Sequence, residues 1–140
     1  MAATGTTAEQ PAAGDAAADR AAALFADARA LHDAALARLD AGDIRDAAEK
    51  AWCATKRAAD GLIVARTGEE PAKSPITTQE LRRLARLDDG VSRLTGHYHT
   101  ARDVLHGDCF YLGLCERADI RTLLGETSDY IREAERLAAT

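Results

Sequence analysis

Aromatic residues are scarce in this chain: one Trp, three Tyr and two Phe among 140 residues. Strands draw their stability from β-branched and aromatic side chains packed on a pleated surface. A chain short of them and rich in alanine therefore reads as helical. Also missing is any apolar run approaching the ~20 residues that cross a bilayer, and any basic N-terminal region followed by an apolar core. Neither a membrane span nor a signal peptide is expected, and the expected location is the cytoplasm. No run of Lys or Arg interrupts a formal net charge of −5, which argues against general DNA binding, because affinity for phosphate backbones comes from clustered cations that release counterions. Phosphate-cradling Gly-rich loops and the G-x-S-x-G, H-E-x-x-H and Ca²⁺-loop patterns are absent as well, so the common enzyme signatures give no lead.

The 140 residues suffice for one domain around one core. Cys53, Cys109 and Cys115 make an odd number of cysteines, and without an export signal they are expected as free thiols. His97, His99, His106, Cys109 and Cys115 include zinc-ligand types, but H-x-x-C from His106 to Cys109 is a single tight pair with no second to complete four ligands. No metal and no cofactor are expected.

Residues 1–14 are small and polar with almost nothing to bury and read as a disordered tail; the domain is expected over 15–139. Leu24, Ala28, Leu31, Ala35 and Leu39 recur at helical spacing and predict a first helix over about 15–39. Ala41-Gly42-Asp43 breaks it, with Asp43 suited to cap the next. In the second helix Ile44, Ala48, Ala51, Thr55, Ala58 and Leu62 face inward, with Trp52 and Ile63 beside them and Glu49, Lys50, Lys56 and Arg57 mostly outward. A connection this short predicts an antiparallel hairpin. Gly68, Pro71 and Pro75 place a loop over 66–76. A third, short helix is expected to restart at Thr77, whose Thr77-Thr78-Gln79-Glu80 sequence fits a capping box, with Leu81, Leu84 and Leu87 as its apolar face. Val91, Leu94, Tyr98, Ala101 and Leu105 define a fourth helix, and Ile120, Leu124, Thr127, Ile131, Ala134 and Leu137 a fifth. The fold class is all-α, a single antiparallel bundle of about five helices.

Gly96 to Gly113 concentrates three of the four histidines with three aromatics and a cysteine. On a helix His99, Arg102 and His106 share a polar stripe beside the apolar one, and such a stripe borders a groove. His32, alone in the first helix, reads as a boundary residue.

G-D-I-R-D-A-A-E-K-A-W from Gly42 to Trp52, a helix opening after a Gly-Asp turn, resembles the second helix of HEPN-superfamily proteins. L-H-G-D-C-F-Y from Leu105 to Tyr111 resembles their His-containing helix end. The resemblance extends over roughly residues 15–137 and implies a small helical bundle. Many members are metal-independent ribonucleases, some of toxin type, in which an Arg and a His on one helix act at a dimer cleft. Others bind nucleotides or partner nucleotidyltransferases. Carried onto this chain, the pair is Arg102 and His106, with three residues between them where the family gap is longer. His106 would exchange a proton and Arg102 would stabilise charge on phosphorus. His99, Asp103, Asp108 and Tyr111 are the accompanying ligand-binding candidates. The expected function is a HEPN-like binding or interaction module for a nucleotide, RNA or a nucleotidyltransferase-type protein, acting as a homodimer. The alternatives are a ribonuclease using Arg102 and His106, and a purely structural oligomerisation protein.

Overall fold

A computed structural model describes residues 13–140; residues 1–12 of the expected tail lie outside the described residues. Five α-helices form an antiparallel bundle: α1 (Ala13–Asp40), α2 (Ile44–Thr67), α3 (Ser74–Leu87), α4 (Asp89–Thr100) and α5 (Arg117–Ala138). Between α4 and α5 the chain continues as a π-helix, Ala101–Tyr111. No helix among the described residues is long and apolar enough to cross a membrane.

α1 and α2 form the expected hairpin. Gly42 takes a positive φ of 87° in the turn, and the Asp43 carboxylate accepts from the Asp46 amide at 3.1 Å to cap α2. Ion pairs join Arg38 to Asp46, Arg57 to Asp27 and Arg20 to Glu70, a register that only antiparallel helices produce. α2 is the central element. Ala47, Ala48, Ala51, Ala54, Ala58 and Ala59 along it are fully buried, and side chains this small let neighbouring helices approach from several directions. Gly61 takes this furthest: a Cβ there would stand 3.0 Å from the Phe25 ring of α1.

α5 returns antiparallel to α1, tied by His32 Nε2 to the Leu124 carbonyl at 2.8 Å and by Arg117 to the Leu39 carbonyl at 3.1 Å. His32 is thus the boundary residue its isolation implied. Asp88 both ends α3 and opens α4, accepting from the Gly90 amide at 2.9 Å and from Arg66 at 2.8 Å. These contacts hold its carboxyl below the ordinary range, the Arg66 bond contributing most.

The third helix starts three residues earlier than expected, at Ser74, with Pro75 in its first turn, where the missing N–H is harmless. The capping-box reading of Thr77 fails, because its hydroxyl is buried and donates to Asp60 Oδ1 at 2.7 Å. Leu87, assigned to the apolar face, is 75% exposed; the helix ends at that residue, beyond the last turn that meets the core. Cys109 and Cys115 are bonded to each other and Cys53 is free, which corrects the expectation of three thiols. The cause is local: after the π-helix the chain turns through Gly113 (φ 71°) and brings the two Cα atoms to 4.5 Å, within the range a disulfide spans.

The close contact at Gly61 makes a prediction. Gly61→Val drives a branched side chain into the Phe25 ring and should lower stability by about 1–3 kcal/mol; a denaturant midpoint at or above wild type would show that the α1–α2 seam is not tightly packed.

Candidate functional site

The π-helix sets the site. Its amides bond five residues back, as Leu112 N does to Gly107 O at 3.1 Å. The buried stripe accordingly steps by four, through Ala101, Leu105 and Cys109. The flanking stripe of Arg102, His106 and Phe110 steps with it. Arg102 and His106 share a face, as expected, but on a wider helix than the α-helix assumed. π-helical turns are rare and concentrate at functional sites.

That stripe faces a groove of about 650 Å³ between α2, α3 and the π-helix. Trp52 forms its floor, Lys56, Arg82, Arg102 and His106 stand around it, and Ser74, Pro75 and Thr78 of α3 make the opposite rim. Trp52 packs on Tyr98, with centroids 5.2 Å apart, and on His106 at 5.7 Å. The Tyr98 hydroxyl is hydrogen-bonded to Ser74 at 3.1 Å, which ties the start of α3 to α4.

Each cation in the groove is compensated to a different degree. Lys56 Nζ donates to Asp60 Oδ2 at 2.7 Å, and Asp60 is 2% exposed. Burial raises the Asp60 carboxyl, while the Lys56 and Thr77 bonds oppose that shift. His106 Nδ1 lies 2.7 Å from Glu49 Oε1, so Glu49 orients the ring. Arg102 meets only the exposed Asp103 beside it, at 3.3 Å. Arg82 has no carboxylate partner among the described residues and donates to His99 Nε2 at 3.3 Å. Partial burial, reinforced by Arg102 and Arg82, holds the His99 pKa below the ordinary value, as suits a neutral ring that accepts from a guanidinium.

The start of α3 adds little to this charge. Its N-cap residue, Lys73, makes no side-chain cap and the first turn holds no acidic residue, but the buried Asp60 carboxylate accepts from Thr77 in that turn, Pro75 has no amide hydrogen, and the Ile76 and Thr77 amides donate to the Lys73 carbonyl.

Of the residues singled out from sequence, Arg102 and His106 line the groove and His99 touches it through Arg82. Tyr111 stands edge-on to His106 at 4.9 Å and is 67% exposed. Asp103 and Asp108 are exposed on the π-helix, outside the groove lining. His97 points elsewhere, packed against Tyr130 with ring centroids 4.9 Å apart. Sequence reasoning missed Arg82, which looked like an ordinary surface residue. It also missed the inward roles of Glu49 and Lys56, which were assigned outward. Glu49, Trp52, Lys56 and Asp60 do share one helical stripe, and that spacing was the available signal.

No family model, curated protein or solved structure matches this chain.

The raised Asp60 carboxyl fixes a sign for pH dependence. Between the ordinary carboxyl value and the raised folded one, the folded state binds more protons than the unfolded state, so this group's contribution falls as pH rises through that window. Asp60→Asn keeps an acceptor for Thr77 and removes the titration. The stability difference, wild type minus variant, should therefore decline with rising pH across the window and be flat above it; a difference that grows with pH would refute the assignment.

Proposed function

We propose that this chain is a HEPN-like binding module that takes a phosphate-bearing ligand of the nucleotide or RNA class in the groove over Trp52. The observation that carries the reading is a pair of arginines on one concave surface, Arg82 with no carboxylate partner among the described residues and Arg102 paired with the exposed Asp103. Guanidinium groups hold phosphate oxygens through charge-assisted, often bidentate hydrogen bonds. Arg102 stands on the facing wall, so a phosphate between the two walls would meet cations from both sides. Trp52 and Pro75 supply apolar surface for the remainder of the ligand.

A second reading, a metal-independent ribonuclease using Arg102 and His106, draws support from Glu49. A carboxylate at Nδ1 leaves Nε2 as the atom that exchanges a proton, the usual division of labour for a histidine base. A homodimer, which the family resemblance implies, and the cytoplasmic setting expected from the lack of an export signal accompany both readings. The structural alternative, oligomerisation alone, predicts a groove that binds nothing.

Calorimetric titration with mononucleotides, the matching nucleosides and a short RNA separates these readings. Phosphorylated ligands should bind while nucleosides do not, and affinity should weaken with added salt. Arg82→Ala and Arg102→Ala should each cost about tenfold or more, the scale of a charge-assisted bond. Equal affinity in both variants would remove the groove from the binding site. RNA cleavage in EDTA by wild type but not by folded His106→Ala would establish the second reading.

A further inference from the structure

The bond between Cys109 and Cys115 closes a loop that burial does not hold. Tyr111, Leu112 and Leu114 are each 67% exposed, so the loop Phe110–Leu114 gains little from the core. Its other ties are polar: Arg45 donates to the Phe110 carbonyl at 3.0 Å and to the Tyr111 carbonyl at 3.1 Å, and the Leu112, Gly113 and Leu114 amides donate back to the carbonyls of Gly107, Cys109 and Asp108 at 3.1, 3.0 and 2.8 Å. The two cysteines differ in burial. Cys109 is fully buried, whereas Cys115 is partly exposed. The loop also reaches the groove, because Phe110 stacks on His106 at 6.2 Å and Tyr111 meets the same ring edge-on.

We infer that Cys109 and Cys115 form a reducible pair, opened by a dithiol, that controls the order of the Phe110–Leu114 loop and so the wall beside His106. The exchange balances without a further reactant. A thiolate of the dithiol attacks the Sγ of Cys115, the less buried of the two residues; the S–S bond breaks and Cys109 leaves as a thiolate that takes up a proton. The second thiol of the reductant then displaces Cys115, which leaves as a thiol. Two electrons and two protons pass to the protein, and the reductant becomes a cyclic disulfide. Reduced Cys109 stays in place as a small buried hydrophobe, which confines the change to the loop. Cys115 is released from its anchor, and Arg45 alone holds the carbonyls of Phe110 and Tyr111 from the side of α2.

The test needs no ligand and is independent of what the groove binds. The full chain is equilibrated in graded ratios of reduced to oxidised dithiothreitol, thiols are trapped by alkylation and counted by mass, and each sample is cut with chymotrypsin, whose preferred residues Tyr111, Leu112 and Leu114 lie in the loop. Cys109 and Cys115 should convert together. Cleavage within the loop should speed up by about tenfold, the expected effect of local opening, with helical circular dichroism unchanged and the His106 ring resonances shifted. Cys115→Ser should cleave at the reduced rate under oxidising conditions. A pair that stays as thiols throughout, cleavage and resonances indifferent to its state, or loss of the whole helical signal on opening would each overturn the inference; the last would make the bond a staple of the fold. Should Cys115→Ser fail to fold, reduction of the wild-type chain carries the test alone.

Discussion

The close packing of α2 against its neighbours is the constraint on which the rest of the molecule depends. With Ala47, Ala48, Ala51, Ala54, Ala58 and Ala59 all fully buried, this helix presents backbone and methyl groups where other bundles present leucines. α1 lies close enough for Phe25 to press on Gly61, and α5 and the π-helix pack against the same element. Dispersion gains from such proximity are small per atom and accumulate along the length of the seam. Large side chains are needed only where the surfaces diverge, which is where Trp52, Leu62 and Ile63 sit. Scarcity of aromatics is thus compatible with a well-filled interior.

The same helix organises the chemistry. Below Ala48 and Ala51 it carries Glu49, Trp52, Lys56 and Asp60 along a neighbouring stripe, and each meets a different element. Glu49 reaches the π-helix through His106, Trp52 reaches α4 through Tyr98, and Asp60 reaches α3 through Thr77. The groove exists because α2 touches three elements that do not close over one another. Asp60 is a buried charge and carries a desolvation cost; Lys56 and Thr77 supply the pairing without which such a charge is not tolerated. Lys56 is therefore as much the partner of Asp60 as a contributor to the groove, and the groove's positive character rests on Arg82 and Arg102.

Most of the fold was legible because its signals are periodic. The stripes of α1, α2 and α5 match the buried residues closely, and the Gly42-Asp43 turn behaves as its residue types dictate. Elsewhere two physical choices were hidden. Thr77 has the chemistry of a cap, and only the tertiary position of Asp60 decides that its hydroxyl turns inward. The π-helix preserves the spacing of Ala101, Leu105 and Cys109 so well that an α-helical stripe and a π-helical one read alike. Arg102 and His106 were found because they sit in a chemically dense stretch. Arg82 was not, since an arginine on a polar helix face carries no local mark, and its significance comes from the absence of a carboxylate that only the folded arrangement reveals. Cys109 and Cys115 were judged by compartment and parity, arguments that are blind to a turn bringing two residues together.

The balance of charge in the groove also bears on what can occupy it. Glu49 and Asp60 stand behind His106 and Lys56, so an entering anion meets those two side chains already partnered from the far side. Arg82 and Arg102 differ: one is bonded to a neutral ring and the other to an exposed carboxylate that water screens. Selective compensation of this kind makes the outer walls more attractive to an anion than the floor. A ligand with its charge at one end and a flat apolar body would lie with the charged end between Arg82 of α3 and Arg102 of the π-helix and the body toward Trp52.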